Sequence, residues 1–257
     1  MASESGGSAL SPPAESTGAA LYQEVVRASV GILAALLILK HLGALIPAIA
    51  SYAFTAAAAI QLYLPLLRVG GDGDEPPRDQ RPLLGQRWLR WPRDLSRAEL
   101  GLDTTRWVDH LFLALGLGLL TIIPFAIGHH YWQTVIFKRA FAPRLPDGLA
   151  LSVVTQVLAV ALPEELFFRG YLQGRMERLW PAKRRLFGAP FGKAILVASA
   201  VFAMAHFVGE YRPDRLGPFF PALLFGLLRT KTQSIVAPVS YHAFCNILSE
   251  MLFACYS

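Results

Sequence analysis

The run ALPEELFFRGY at 161–171 sets two adjacent carboxylates, Glu164 and Glu165, and a guanidinium, Arg169, inside an apolar stretch that begins near Leu149. An ionisable group at membrane depth costs about 3 kcal/mol on insertion scales, so each of the three needs a partner. On a helix, Glu165 and Arg169 share a face one turn apart and can form an ion pair. Such a pair hides Arg169 and keeps Glu165 ionised. Glu164 is rotated from Glu165 by about 100°, toward a different neighbour. One carboxylate is then structural and the other is available for chemistry.

Two later apolar runs supply partners. FAMAHF places Phe202 and His206 one turn apart, and SYHAFCNIL does the same for His242 and Asn246. Polar groups surrounded by hydrocarbon gather with one another or around water, so the three pairs are expected to converge on one cavity. Hydrolysis with water as the nucleophile fits this set. A carboxylate held away from bulk water is a stronger general base. Glu164 is the candidate base, with His206 sharing the water and carrying its proton onward. His242 and Asn246 bring N–H donors for the oxyanion of a tetrahedral intermediate. Ser240 and Cys245 flank His242, but neither is spaced to form a nucleophile with its base. A packing role for each histidine, with a structural Glu165–Arg169 pair, is the competing reading; it leaves Glu164 without a purpose. The chain has no HExxH motif, and neither a metal nor another cofactor is expected. His129-His130, before Tyr131-Trp132 at a helix end, read as interfacial residues and not as ligands.

The elements that must hold these residues are apolar segments at roughly 24–39, 43–67, 109–128, 147–171, 193–209, 216–229 and 234–253. With 54% hydrophobic and 16% charged residues and a mean hydropathy of +0.41, the chain reads as an all-α, polytopic membrane protein. About seven transmembrane or re-entrant helices are expected. Lys40-His41 is the expected break between the first two. Pro163 is expected to kink the fourth, and two prolines in LGPFFPALLFGLL make the sixth re-entrant or strongly kinked. Residues 1–20, polar and rich in Ser, Gly and Pro, read as a disordered tail without a signal peptide. Residues 21–257 then form one membrane domain, with a catalytic core at about 147–253. Within it, 69–107 is an interfacial loop whose Trp88, Trp91 and arginines suit a headgroup layer.

The net charge of +6 resides mostly in connections. Basic loops report orientation and contact with anionic lipid, and no nucleic-acid partner is expected. Lys and Arg concentrate at Arg27, 68–107, 175–193 and 229–231, whereas the alternate connections hold only Lys40, Lys138, Arg139, Arg144, Arg212 and Arg215. This asymmetry places the N-terminus in the cytoplasm. Cys245 and Cys255 form no CxxC pair and read as small core residues.

EExxxR, FxxxH and HxxxN, in that order on successive hydrophobic segments, resemble the CPBP family: the CAAX-prenyl-endopeptidase and bacteriocin-processing, or Abi, proteins. The resemblance covers about 147–253. It implies an intramembrane protease of the glutamate type, with Glu164 as the water-activating base, His206 as its partner, Glu165 and Arg169 as a supporting pair, and His242 with Asn246 at the oxyanion. Family members process prenylated C-terminal tails, trim leader peptides or confer self-immunity, and one branch resembles C-terminal sorting proteases. The Ala, Leu, Arg and Gly bias points to a GC-rich bacterium, hence to the inner (cell) membrane and to peptide-tail processing or sorting. The expected partners are membrane lipid and a protein or peptide substrate. The rival class is a non-enzymatic membrane scaffold or immunity factor. A transporter is disfavoured by the absence of inverted repeats.

Overall fold

The computed structural model describes residues 15–70 and 94–256. Seven helices dominate it: α1 (Glu15–Leu45), α2 (Pro47–Leu66), α3 (Trp107–Tyr131), α4 (Leu149–Leu179), α5 (Lys193–Glu210), α6 (Phe219–Thr232) and α7 (Val236–Ala254). Trp88 and Trp91 lie outside the described residues, as does most of the stretch read as a tail. Helix α1 already begins at Glu15, ahead of the boundary expected at residue 20.

The first turn is not at Lys40-His41. Both residues continue α1, and the chain reverses at Ile46, which is extended (φ −129°, ψ 95°) before Pro47 opens α2. Proline suits that first position because its missing N–H would have no partner there. Gly43 lets the hairpin close, since a Cβ on it would stand 3.1 Å from the Cα of Ala50. Lys40 instead reaches α5, donating to the Val208 carbonyl at 3.2 Å and lying over the Tyr211 ring.

Helix α4 carries the acidic motif and does not break. It runs as α-helix over Leu149–Thr155, widens to π-helix over Gln156–Ala161, returns to α over Leu162–Glu165, widens again over Leu166–Gln173 and ends with Gly174–Leu179. The kink expected at Pro163 is absent: Leu162 is helical at φ −63°, ψ −51°. A proline ring clashes with the carbonyl one turn back and offers it no donor. The wider π turn just before Pro163 shifts those carbonyls to a different hydrogen-bond partner.

Helix α6 likewise lacks the expected kink. Pro218 caps it and Pro221 falls in its first turn, where a backbone donor is not needed. Its far end meets the connection between α4 and α5, where Thr230 donates to the Pro190 carbonyl at 3.0 Å and Lys231 to that of Phe187 at 2.9 Å. Helix α6 therefore crosses from the end of α5 to its beginning and is not re-entrant. That connection is a small hairpin, β1 (Arg184–Leu186) against β2 (Ala189–Phe191), which the sequence reading took as a plain basic loop. Phe187 and Gly188 turn it with φ of 50° and 77°, as a two-residue hairpin with matching twist requires.

Burial is arranged for lipid. Large apolar residues face outward on α3, where Phe112, Leu119, Leu120, Ile123 and Ile127 are all about two-thirds exposed. The interior holds Glu165, Arg169, Gln173, Arg175, Arg229 and His242. Five helices are long and apolar enough to cross a membrane: α1, α2, α3 with its π-helical extension to Ile136, α4 and α5. The protein is an integral membrane protein.

A buried ionic network joins the first two helices to α4. Arg68 pairs with Glu24 at 3.1 Å and with Asp94 at 2.7 Å, and Arg175 pairs with Glu24 at 3.0 Å and also with Asp94. Tyr171 donates to Glu24 at 2.9 Å. Removing one member of such a set leaves its partners uncompensated, at a cost of about 3 kcal/mol for a site partly open to water. Glu24→Gln is expected to lower the thermal unfolding midpoint in detergent by several degrees, whereas Tyr171→Phe, which loses the bond to Glu24 and one accepted from Arg68 at 3.2 Å, costs about 2 kcal/mol. Equal midpoints for Glu24→Gln and wild type would remove this network from the fold's support.

Candidate active site

Glu165 is the hub of the site. Its Oε1 accepts from Nη1 of Arg169 at 2.9 Å and from Nδ1 of His242 at 2.9 Å, with both side chains of the Glu165–Arg169 pair fully buried. The ion pair read from the i, i+4 spacing is present, and it does more than hide a charge. Arg169 also donates to the Ala222 carbonyl at 3.3 Å. Its guanidinium carbon lies 4.3 Å from the ring centre of Phe202 and 5.0 Å from that of Phe225. Aromatic faces stabilise a cation that water no longer reaches.

His242 is held on three sides. Phe225 stacks on its face at 4.7 Å and 17°, Phe202 meets it edge-on at 5.8 Å, and Glu165 takes Nδ1. With Nδ1–H given to a carboxylate, Nε2 of the neutral ring is the acceptor nitrogen. Nε2 faces Glu164, whose Oε2 is 3.8 Å away. That oxygen is buried and has no hydrogen-bond partner in the described protein. The two carboxylates thus do not point toward different neighbours, as the rotation between them suggested. They bracket one imidazole, because α7 packs against the α4 segment that carries both.

His206 is placed less directly. Its Nδ1 bonds the Phe202 carbonyl at 3.0 Å, and its ring lies 4.5 Å from that of Phe202. Neither ring nitrogen is within hydrogen-bonding distance of Glu164, which leaves the expected sharing of a water, and not a direct bond, as the link between them. Phe202, packed on Arg169, His206 and His242, is what connects them. The depths do agree. Glu164 stands fifteen residues before the end of α4, about 22 Å of helix, and His206 thirteen residues after the start of α5, about 20 Å. The sequence reading ended the fourth helix too early, near Tyr171, and so put Glu164 too close to the surface.

Asn246 donates from Nδ2 to Oε1 of Gln156 at 2.9 Å. Gln156 went unread, although it is the one amide in VVTQVLAVALP and lies two turns before Glu164. One turn further along each helix, Ser152 donates to Glu250. Helices α4 and α7 therefore meet along a polar seam: Ser152 with Glu250, Gln156 with Asn246, and Glu165 with His242. His242, Asn246 and Glu250 recur at four-residue steps, a stripe that could be read from the sequence. Among the described residues no cluster of three His, Cys, Asp or Glu is arranged to hold a metal ion. His129 bonds Gln133 and packs on Phe253 and Tyr256, away from these groups.

Residues 146–248 match the family model described as Type II CAAX prenyl endopeptidase Rce1-like. Over that segment the chain is similar to the CAAX prenyl endopeptidase family that its three motifs resemble. No curated protein and no solved structure matches the chain significantly.

The geometry separates the two glutamates by what their loss would do to the fold. Arg169→Ala strands Glu165 in the interior and is expected to cost about 3–5 kcal/mol, seen as a loss of folded, inserted protein. Glu164→Gln removes no hydrogen bond within the protein and should melt within a degree or two of wild type. Equal yields and midpoints for the two variants would show that the Glu165–Arg169 pair contributes little.

Proposed function

We propose that the protein is a glutamate-type intramembrane endopeptidase that hydrolyses a peptide bond of a membrane-associated protein or peptide with activated water. The observation that carries this reading is the buried, unpartnered Oε2 of Glu164 facing Nε2 of His242 across 3.8 Å. That separation is too long for a hydrogen bond and suits a water bridging the two groups. Glu164 takes the proton as this water attacks the scissile carbonyl. The proton passes through Nε2 of His242, whose cationic form Glu165 stabilises, and leaves on the departing amine. His206 offers a second acceptor to the attacking water. The protonated His242 and the amide of Asn246 donate to the oxyanion; Asn246 has one Nδ2 hydrogen for this role, the other being held by Gln156.

The substrate we favour is a peptide tail processed or sorted at the inner membrane of a bacterium, entering the site laterally in an extended form. The uneven distribution of basic residues among the connections supports a cytoplasmic N-terminus.

Glu164→Gln should abolish turnover of a reporter tail peptide while the protein stays folded and inserted. Turnover retained in that variant would overturn the role of Glu164 as base, and a wild-type protein without any turnover would favour the scaffold reading. Removing one oxyanion donor costs about a hundredfold or more in kcat, and Asn246→Ala is expected to fall in that range. Gln156→Leu leaves Asn246 in place but unoriented; a loss of about tenfold in kcat, with KM little changed, is expected of such a supporting partner. Activity should also persist through exhaustive chelation, and its recovery on adding zinc to a chelated, inactive enzyme would overturn the glutamate mechanism.

A further inference from the structure

A second buried cation remains outside this site. Arg229, near the end of α6, is 4% exposed. Its Nη2 donates to the Glu99 carbonyl at 2.7 Å, while Nε and Nη1 have no hydrogen-bond partner among the described residues. A buried guanidinium with two open nitrogens is costly unless something else meets them. Arg229 lines a cavity of about 270 Å³ between the Leu95–Glu99 segment, the last turns of α4 and the end of α6.

The other charges lining this cavity are already committed. Glu99 pairs with Arg178 and accepts the Ser96 N–H at 2.7 Å; Glu177 accepts the Gln173 amide at 2.8 Å; Arg175 is held by Glu24 and Asp94. Two glycines of α4, Gly170 and Gly174, supply the space. At Gly170 a Cβ would stand 2.7 Å from the Leu100 carbonyl, so the segment before α3 closes tightly on α4 just there. At Gly174 the nearest atom is 3.7 Å away, which leaves the cavity open beside it. The volume is many times that of one water. The cavity sits where α4 and α6 both end, with Arg178 and Lys231 nearby in the chain.

We propose that this cavity binds a phosphate group, with Arg229 as its buried ligand and Arg178 at its mouth. Guanidinium N–H groups make charge-assisted bonds to phosphate oxygens, and an anion in the cavity can take the open Nη1 of Arg229, whose Nε is packed against Gly101. The phosphate comes either from an anionic lipid or from a soluble phosphate compound. Occupancy ties the Leu95–Glu99 segment to α4 and α6, one residue from the Arg169 that holds Glu165. The site is independent of the hydrolytic reading above and uses none of its groups.

The test uses the purified full chain in maltoside detergent, which contains no phosphate. The thermal midpoint is followed on titration with sodium phosphate against sodium chloride at equal ionic strength, and with dioleoyl phosphatidic acid against dioleoylglycerol. A rise in midpoint with phosphatidic acid alone assigns the site to a lipid headgroup; a rise with inorganic phosphate as well assigns it to phosphate in general. Arg229→Gln is expected to weaken the half-saturating concentration by about tenfold or more, the scale for loss of a charged hydrogen-bond donor. Because that variant also alters the buried bond to the Glu99 carbonyl, a second variant is needed: Gly174→Met fills the cavity while keeping every charge, and it should abolish the shift. No shift in wild type beyond the chloride and dioleoylglycerol controls, or an undiminished shift in Gly174→Met, would overturn the proposal.

Discussion

Everything at the candidate site depends on one carboxylate oxygen. Oε1 of Glu165 accepts from a permanent cation, Arg169, and from an imidazole, His242, in the buried interior. Low polarity makes this bridge strong, and the same low polarity makes either partner expensive alone. The aromatic wall follows from it. Phe202 and Phe225 cover both the guanidinium and the imidazole, so they screen the two groups from lipid and fix the plane of the ring. With Nδ1 and both faces of His242 taken, Nε2 is the one polar edge left to act, and it faces Glu164.

Much of this was legible, because helical spacing fixes which residues share a face. The one-turn pairings gave the Glu165–Arg169 contact and put His242 and Asn246 on a common stripe. What could not be read is which pair meets which. Spacing within a helix says nothing about the crossing angle between helices, so the assignment of His206 to Glu164 rested on their chemistry and on the family resemblance. The structure gives Glu164 to His242, and Phe202 fills the position between the two histidines.

The errors in the fold share a cause in how proline was read. Pro47 marks the first turn where two charged residues suggested it, and Pro218 and Pro221 begin a helix they were expected to bend. Pro163 sits within an unbroken helix because a π-helical turn absorbs it. Proline is tolerated wherever the donor it lacks has no work to do, and that depends on turns before it as much as on the residue itself. The polar seam was missed for a related reason. Gln156 and Ser152 are weakly polar signals inside an apolar run, and they acquire meaning only opposite Asn246 and Glu250.

The segments outside the matched region have a mechanical role that follows from these contacts. A hydrolytic centre inside a lipid-facing bundle must hold α4 firmly, since the hydrophobic effect does little to hold helices together in hydrocarbon. Packing of small residues and polar contacts must do it instead. Helix α4 receives both: Gly170 admits the Leu100 carbonyl at a distance no larger residue allows, and Arg175 and Tyr171 tie to Glu24 on α1. Those attachments lie within two turns after Arg169, so the C-terminal half of α4 is anchored there while α7 contacts its N-terminal half. The acidic motif stands between the two anchors, where the helix is least able to shift relative to His242.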